Sequence, residues 1–202
     1  MLVAILTAAL AADTQPATIH NAGNGDMGML NMLFPLPGEE GHWTAIRFEA
    51  QEHDLGVSSI EATFVRQPPY PGSDVNCVVD IPHDVVVFTG TGATPPADPD
   101  VLYRATLAPI YGHPGGRART RITLPEAIFV PQGSSFYVAF ELPGTYPDVA
   151  CLMLAQDQED APVSRETEFW SFATTAPFAW YGFDPIGIPD KPVVSISGLW
   201  YL

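Results

Sequence analysis

Ser135-Phe136-Tyr137-Val138-Ala139-Phe140-Glu141-Leu142 is the stretch whose reading decides the fold. Aromatic and β-branched residues fill it, and turn formers bound it: Pro131-Gln132-Gly133 before, Pro143-Gly144 after. That combination predicts a β-strand. Working outward, Ala127-Ile128-Phe129-Val130 predicts a short strand ending at the Pro131 turn, and residues 119–124 predict another by clean alternation. Residues 101–107 predict a further strand, and residues 90–99 (GTGATPPADP) a loop. Val85-Val86-Val87-Phe88-Thr89 is a continuous apolar run, which marks a strand buried on both faces or at a sheet centre.

Towards the C-terminus, Cys151-Leu152-Met153-Leu154, residues 168–172 and residues 193–201 predict strands. Towards the N-terminus, residues 43–50 (WTAIRFEA) and 60–65 (IEATFV) do the same, and Pro68-Pro69-Tyr70-Pro71-Gly72 is a loop that cannot sit in a central strand. The chain has 21 Pro and 17 Gly spread along its 202 residues, and no segment carries a sustained helical period with capping signals. Eight to ten short strands therefore predict an all-β, antiparallel sandwich or jelly roll with few or no helices. Neither an internal repeat nor a linker divides residues 13–202, which read as one domain.

Residues 1–12, MLVAILTAALAA, suit the apolar region of a signal peptide, although no basic residue precedes them. The alternative is a first strand within the fold. The run is too short to span a bilayer, and no other stretch approaches that length. Together with two cysteines, Cys77 and Cys151, this predicts an exported or cell-surface chain in which the pair forms a disulfide. Two free buried thiols are the other reading. Zinc is disfavoured, because no histidine flanks either cysteine at ligand spacing. The formal net charge of −15 repels phosphate backbones and anionic lipid, which argues against nucleic acid or a membrane surface as partner.

The strand rhythm of WTAIRFEA, DVVVFTGTGATPPADPDVLYRATL, RTRITLPEAIFVPQGSSFYVAFELPG and FWSFATTAPFAWYGF resembles the jelly-roll accessory domains of secreted bacterial proteins. Such domains are appended to peptidases or surface proteins, and some of their relatives are carbohydrate-binding modules. The resemblance covers roughly residues 40–202. It implies a polysaccharide or another surface protein as partner and carries no catalytic signature; domains of the resembled kind often hold a structural calcium, but no ligand set for one is fixed in this sequence.

Several constellations bear on chemistry. Phe169, Trp170, Phe172, Phe178, Trp180, Tyr181 and Phe183 crowd within fifteen residues. Exposed Trp and Tyr make a stacking platform for sugar rings, whereas a sandwich core consumes aromatics. Trp170 and Phe172 are expected in the core. Trp180, Tyr181 and Phe183 are the expected ligand contacts, with Trp43 and Tyr70 as outliers. Asn21, Asn24 and Asp26 on one loop, and Asp157, Glu159 and Asp160 on another, offer oxygen ligands for calcium without the EF-hand spacing, and solvated acidic loops are the preferred alternative.

Arg117, Arg119 and Arg121 share one strand face. An acidic neighbour strand carrying Glu49 or Glu61 would pair with them; the alternative is an anionic ligand held by guanidinium forks. Glu52-His53-Asp54 and His83-Asp84 invite a triad, but strand neighbours point to opposite faces. The reading that follows is an exported, non-catalytic binding or surface-assembly module. Its alternatives are a structural subunit assembled by strand exchange, which requires homo-assembly, and a carboxylate-dependent hydrolase.

Overall fold

A computed structural model describes residues 13–21, 31–66, 71–90, 92–108, 110–113, 117–155, 167–188 and 190–202. The strands, in chain order, are β1 (Thr14–His20), β2 (Asn31–Leu33), β3 (His42–Glu49), β4 (Asp54–Val65), β5 (Asn76–Cys77), β6 (His83–Thr89), β7 (Val101–Leu107), β8 (Ile110–His113) and β9 (Arg117–Val130). They continue with β10 (Ser135–Leu142), β11 (Gly144–Thr145), β12 (Asp148–Val149), β13 (Leu152–Ala155), β14 (Glu168–Ser171), β15 (Trp180–Gly182), β16 (Lys191–Pro192) and β17 (Val194–Tyr201). Among the described residues the helical content is one 3-10 turn, Asp184–Ile186. The expected all-β class is what the structure shows.

Two large antiparallel sheets face each other. One is ordered β15-β14-β3-β10-β6-β7. The other runs β1-β17-β4-β13-β16, with β9 on the second edge of β4, β8 beyond it, and β2 against β13. A small third sheet, β11-β12-β5, includes the parallel pair β12 and β5. Between the large sheets, Ile46, Phe48, Val85, Val87, Phe136, Val138 and Phe140 of one meet Leu55, Val57, Ile60, Phe64, Ile122 and Ile196 of the other in a single core. This is a β-sandwich.

β3, β10 and β6 are buried on both faces, because Trp43, Ala45, Val86, Phe88, Tyr137, Ala139 and Phe169 form a second apolar cluster on the outer side of their sheet. That explains why WTAIRFEA and DVVVFT alternate poorly: a strand covered on both sides has no polar face. Residues 119–124 and 127–130, expected as two strands, are one bulged strand. Thr123 of β9 pairs with Ser59 and Ile128 pairs with Val57, so residues 124–127 oppose a single β4 residue. Pro125 lacks the N–H that a continuous ladder would need there.

Cys77 and Cys151 form the expected disulfide, with Cα atoms 5.4 Å apart. It ties β5 to the start of β13 inside a third cluster with Val65, Val75, Val149 and Met153. At the register shift between Ser197 and Gly198, β17 approaches β4 so closely that a Cβ on Gly198 would collide with the Gly56 carbonyl oxygen. Only glycine fits.

Candidate functional site

The outer aromatic cluster is roofed by two loops, and the cleft between them is the candidate site. Residues 92–100 cross the sheet on one side, fastened where the Tyr137 hydroxyl donates to the Gly92 carbonyl at 3.0 Å. Residues 172–179 cross on the other, where the Trp43 indole N–H donates to the Thr174 carbonyl at 3.1 Å. The loops are also stitched together. The Phe178 amide donates to the Ala97 carbonyl at 2.7 Å, and the Trp180 indole N–H donates to the Pro96 carbonyl at 3.0 Å.

These bonds leave a cleft of about 300 Å³. Trp43, Val86, Phe88 and Ala139 make its floor, and Phe178, Trp180, Thr174 and Thr175 make one wall. Asp98, Pro99, Val101 and Arg104 make the other. Phe178 sits 5.8 Å from Trp43 and 5.1 Å from Trp180, ring centre to centre. Both indole N–H groups are spent on backbone carbonyls, so what Trp180 offers a ligand is ring surface, while the buried Trp43 serves as floor.

Beside the cleft lies a charged group of the same sheet face. Arg104 bridges to Asp84 at 3.3 Å, and Asp84 also accepts the Thr106 hydroxyl at 2.5 Å. Glu141 accepts the Asp84 amide at 3.3 Å. Burial pushes the Glu141 carboxyl above its ordinary range, against that hydrogen bond.

The structure sorts the expected contact residues by face. Trp43 and Trp180 meet at the cleft, although 137 positions apart, but Trp43 differs from its expectation as a contact: it is 4% exposed and belongs to the buried outer cluster. Tyr181 is 48% exposed but turns to the other side of β15, where it meets Phe172 edge-on at 5.5 Å. Phe183 differs from its expectation as a contact: it is 2% exposed and belongs to the main core. Phe172 differs in the opposite direction, since it is 48% exposed while Trp170 is buried. β14 ends at Ser171, so the alternation that would have carried Phe172 inward no longer applies.

Tyr70, Asn24, Asp26, Asp157, Glu159 and Asp160 lie outside the described residues. Asn21 donates its side-chain amide to the Pro192 carbonyl at 3.1 Å. Among the described residues no three His, Cys, Asp or Glu side chains gather as a metal site, and no helix is long and apolar enough to cross a membrane.

The remaining constellations resolve structurally. Arg119 pairs with Glu61 across β9 and β4 at 3.1 Å, as the acidic-strand reading expects. His83 and Asp84 take opposite faces. His83 turns inward, its ring 4.6 Å from Phe64, and burial holds it below the ordinary histidine range. Asp84 turns outward to Arg104, so the two form no dyad.

Two solved structures share this arrangement. One holds the cysteine protease and lectin-like domains of Cwp84, a surface-layer-associated protein of Clostridium difficile. It matches at TM-score 0.52 and 10% identity over 80% of this chain and 32% of that one. The other is the clostridial cysteine protease Cwp84 after propeptide cleavage, at TM-score 0.52 and 9% identity over 94% of this chain and 41% of that one. The likeness is one of fold. This chain spans less than half of either protein. No model of a known family and no curated protein sequence matches it.

Proposed function

We propose that the chain is a non-catalytic binding module of an extracellular or cell-surface protein, and that the outer-face cleft takes a carbohydrate. The observation that carries this reading is the cleft itself. Ring surface from Phe178 and Trp180, over a floor that includes the buried Trp43, lies within reach of polar rim groups from Asp98, Arg104, Thr174 and Thr175. Sugar rings present an apolar face and a rim of hydroxyls, which suits such a surface.

The buried disulfide fits an oxidising compartment. A lectin-like domain is part of one protein that shares the fold, and that protein is surface-layer-associated. Both support the reading. The charged and acidic groups beside the cleft are committed to one another rather than arranged around a nucleophile, which favours binding over hydrolysis.

Retention on a panel of insoluble polysaccharides tests the proposal, with Trp180→Ala and Arg104→Ala as variants and near-ultraviolet circular dichroism to verify folding. The expected result is retention on one glycan class and a loss of about tenfold or more in Trp180→Ala, since a stacking ring contributes roughly a kcal/mol beyond its buried area. A folded wild type that holds no polysaccharide would overturn the reading. So would binding that is unchanged in both variants.

A further inference from the structure

The outer face of β3 carries a second, chemically different cleft. Trp43, Ala45 and Arg47 alternate onto that face, which puts Arg47 about 13 Å beyond Trp43 along the strand. Arg47, Thr89, Gly90, Phe129, Val130, Gly133, Ser134 and Ser135 are among the residues lining a hollow of about 330 Å³ there.

Arg47 is the unusual member. Its side chain is 15% exposed, and its nearest carboxylate, Glu49, lies 3.9 Å away at one terminal nitrogen. The buried Nε–H has no protein hydrogen-bond partner. A guanidinium stays charged at any physiological pH, so a half-committed, mostly buried one calls for an acceptor. Nε is itself buried, so the guanidinium meets a ligand carboxylate through its terminal N–H groups.

The rest of the cleft fits a sugar bearing that carboxylate. Thr89, Ser134 and Ser135 line it with hydroxyls, and the Ser135 hydroxyl is oriented by donating to the Gly90 carbonyl at 3.3 Å. Phe129 is 58% exposed and tilts against Tyr201 at 5.9 Å, offering an apolar wall opposite the charge. Gly90 is required: a Cβ there would stand 2.7 Å from the Tyr137 ring.

We propose that this cleft binds the acid group of a uronic-acid sugar, with Arg47 holding the carboxylate and Phe129 lying along the ring. The proposal deepens the glycan-binding reading, on which it rests for the choice of a sugar. Because a net charge of −15 repels anions at long range, the selectivity comes from contact rather than from steering.

The test is a titration of the whole chain with glucuronate and with glucose, followed by NMR, on the wild type and on Arg47→Gln, Ser134→Asp and Trp180→Ala. Ser134→Asp sets a like charge against the ligand without touching the core. The expected result is a preference for glucuronate of about tenfold or more, lost in Arg47→Gln and Ser134→Asp and kept in Trp180→Ala. Equal response to the two sugars, or a preference that survives both Arg47→Gln and Ser134→Asp, would overturn it.

The two readings fail separately. Retention of a neutral polysaccharide without any glucuronate preference sinks this site and leaves the outer cleft standing. Glucuronate binding lost with Arg47, in a protein that retains no polysaccharide, supports this site and removes the outer one.

Discussion

Replacing Cys77 and Cys151 together by alanine opens a closed loop whose ends are separated by 74 residues. In the chain-entropy account, a loop of that length removes about 15 cal/mol/K from the unfolded ensemble, or about 4.4 kcal/mol at 25 °C. The loop contains β6, β7 and β10 of one sheet and β9 of the other, so opening it frees about a third of the unfolded chain. Urea denaturation measures the effect. With a slope of roughly 2–3 kcal/mol/M, the midpoint should fall by about 1.5–2 M. The melting temperature should fall by about 9–18 °C for a domain of this size.

Reduction of the unmutated protein gives the needed control. Both sulfurs are fully buried among Val65, Val75, Val149 and Met153, so the alanine variant also loses packing. Similar shifts for reduced and doubly mutated protein would assign the effect to chain entropy. A loss below about 1 kcal/mol in both would refute the reasoning, since the loop would then do little to the unfolded state.

Other consequences follow from backbone approach and from buried charge. Gly198→Ala should abolish folding or lower the melting temperature severely, because its Cβ would overlap the Gly56 carbonyl of the neighbouring strand; an unchanged melt would show that the bulge yields easily. Glu168 is buried, accepts the Thr167 hydroxyl, and has its carboxyl pushed up mainly by burial. A raised folded value means that its contribution is present at pH below the usual carboxyl range and is lost as pH rises through the folded value. Glu168→Gln should therefore stabilise the protein at pH 7 and change little near pH 4, as thermal melts at the two pH values would show.

His42 and His83 run the other way. Burial depresses both, so their contribution is present above about pH 6.5 and is lost as pH falls through the folded values. His83→Phe, which keeps a ring against Phe64, should flatten the decline in melting temperature below pH 6.5; an unaltered slope would mean that other groups govern acid unfolding.

What local sequence determined is whatever depends on near neighbours along the chain. Aromatic and β-branched content between bounding Pro and Gly located Ser135–Leu142, a continuous apolar run located Val85-Val86-Val87, and the cysteine pair announced its own disulfide. The same local logic correctly separated His83 from Asp84. Tertiary structure decided which face each strand covers. SFYVAFEL carries Phe136 and Tyr137 with equal claim to a core, and only the sheet order and the two roofing loops put one inside the sandwich and the other beneath the cleft. Trp180 and Tyr181, adjacent and chemically alike, were parted because β15 is an edge strand with a roofed face and an open one. Arg47 carried no signal at all, lying in a strand whose apolar neighbours masked it. Its exposure to a ligand depends on the β9–β10 turn, more than eighty residues away, because strand pairing is long-range while alternation is not.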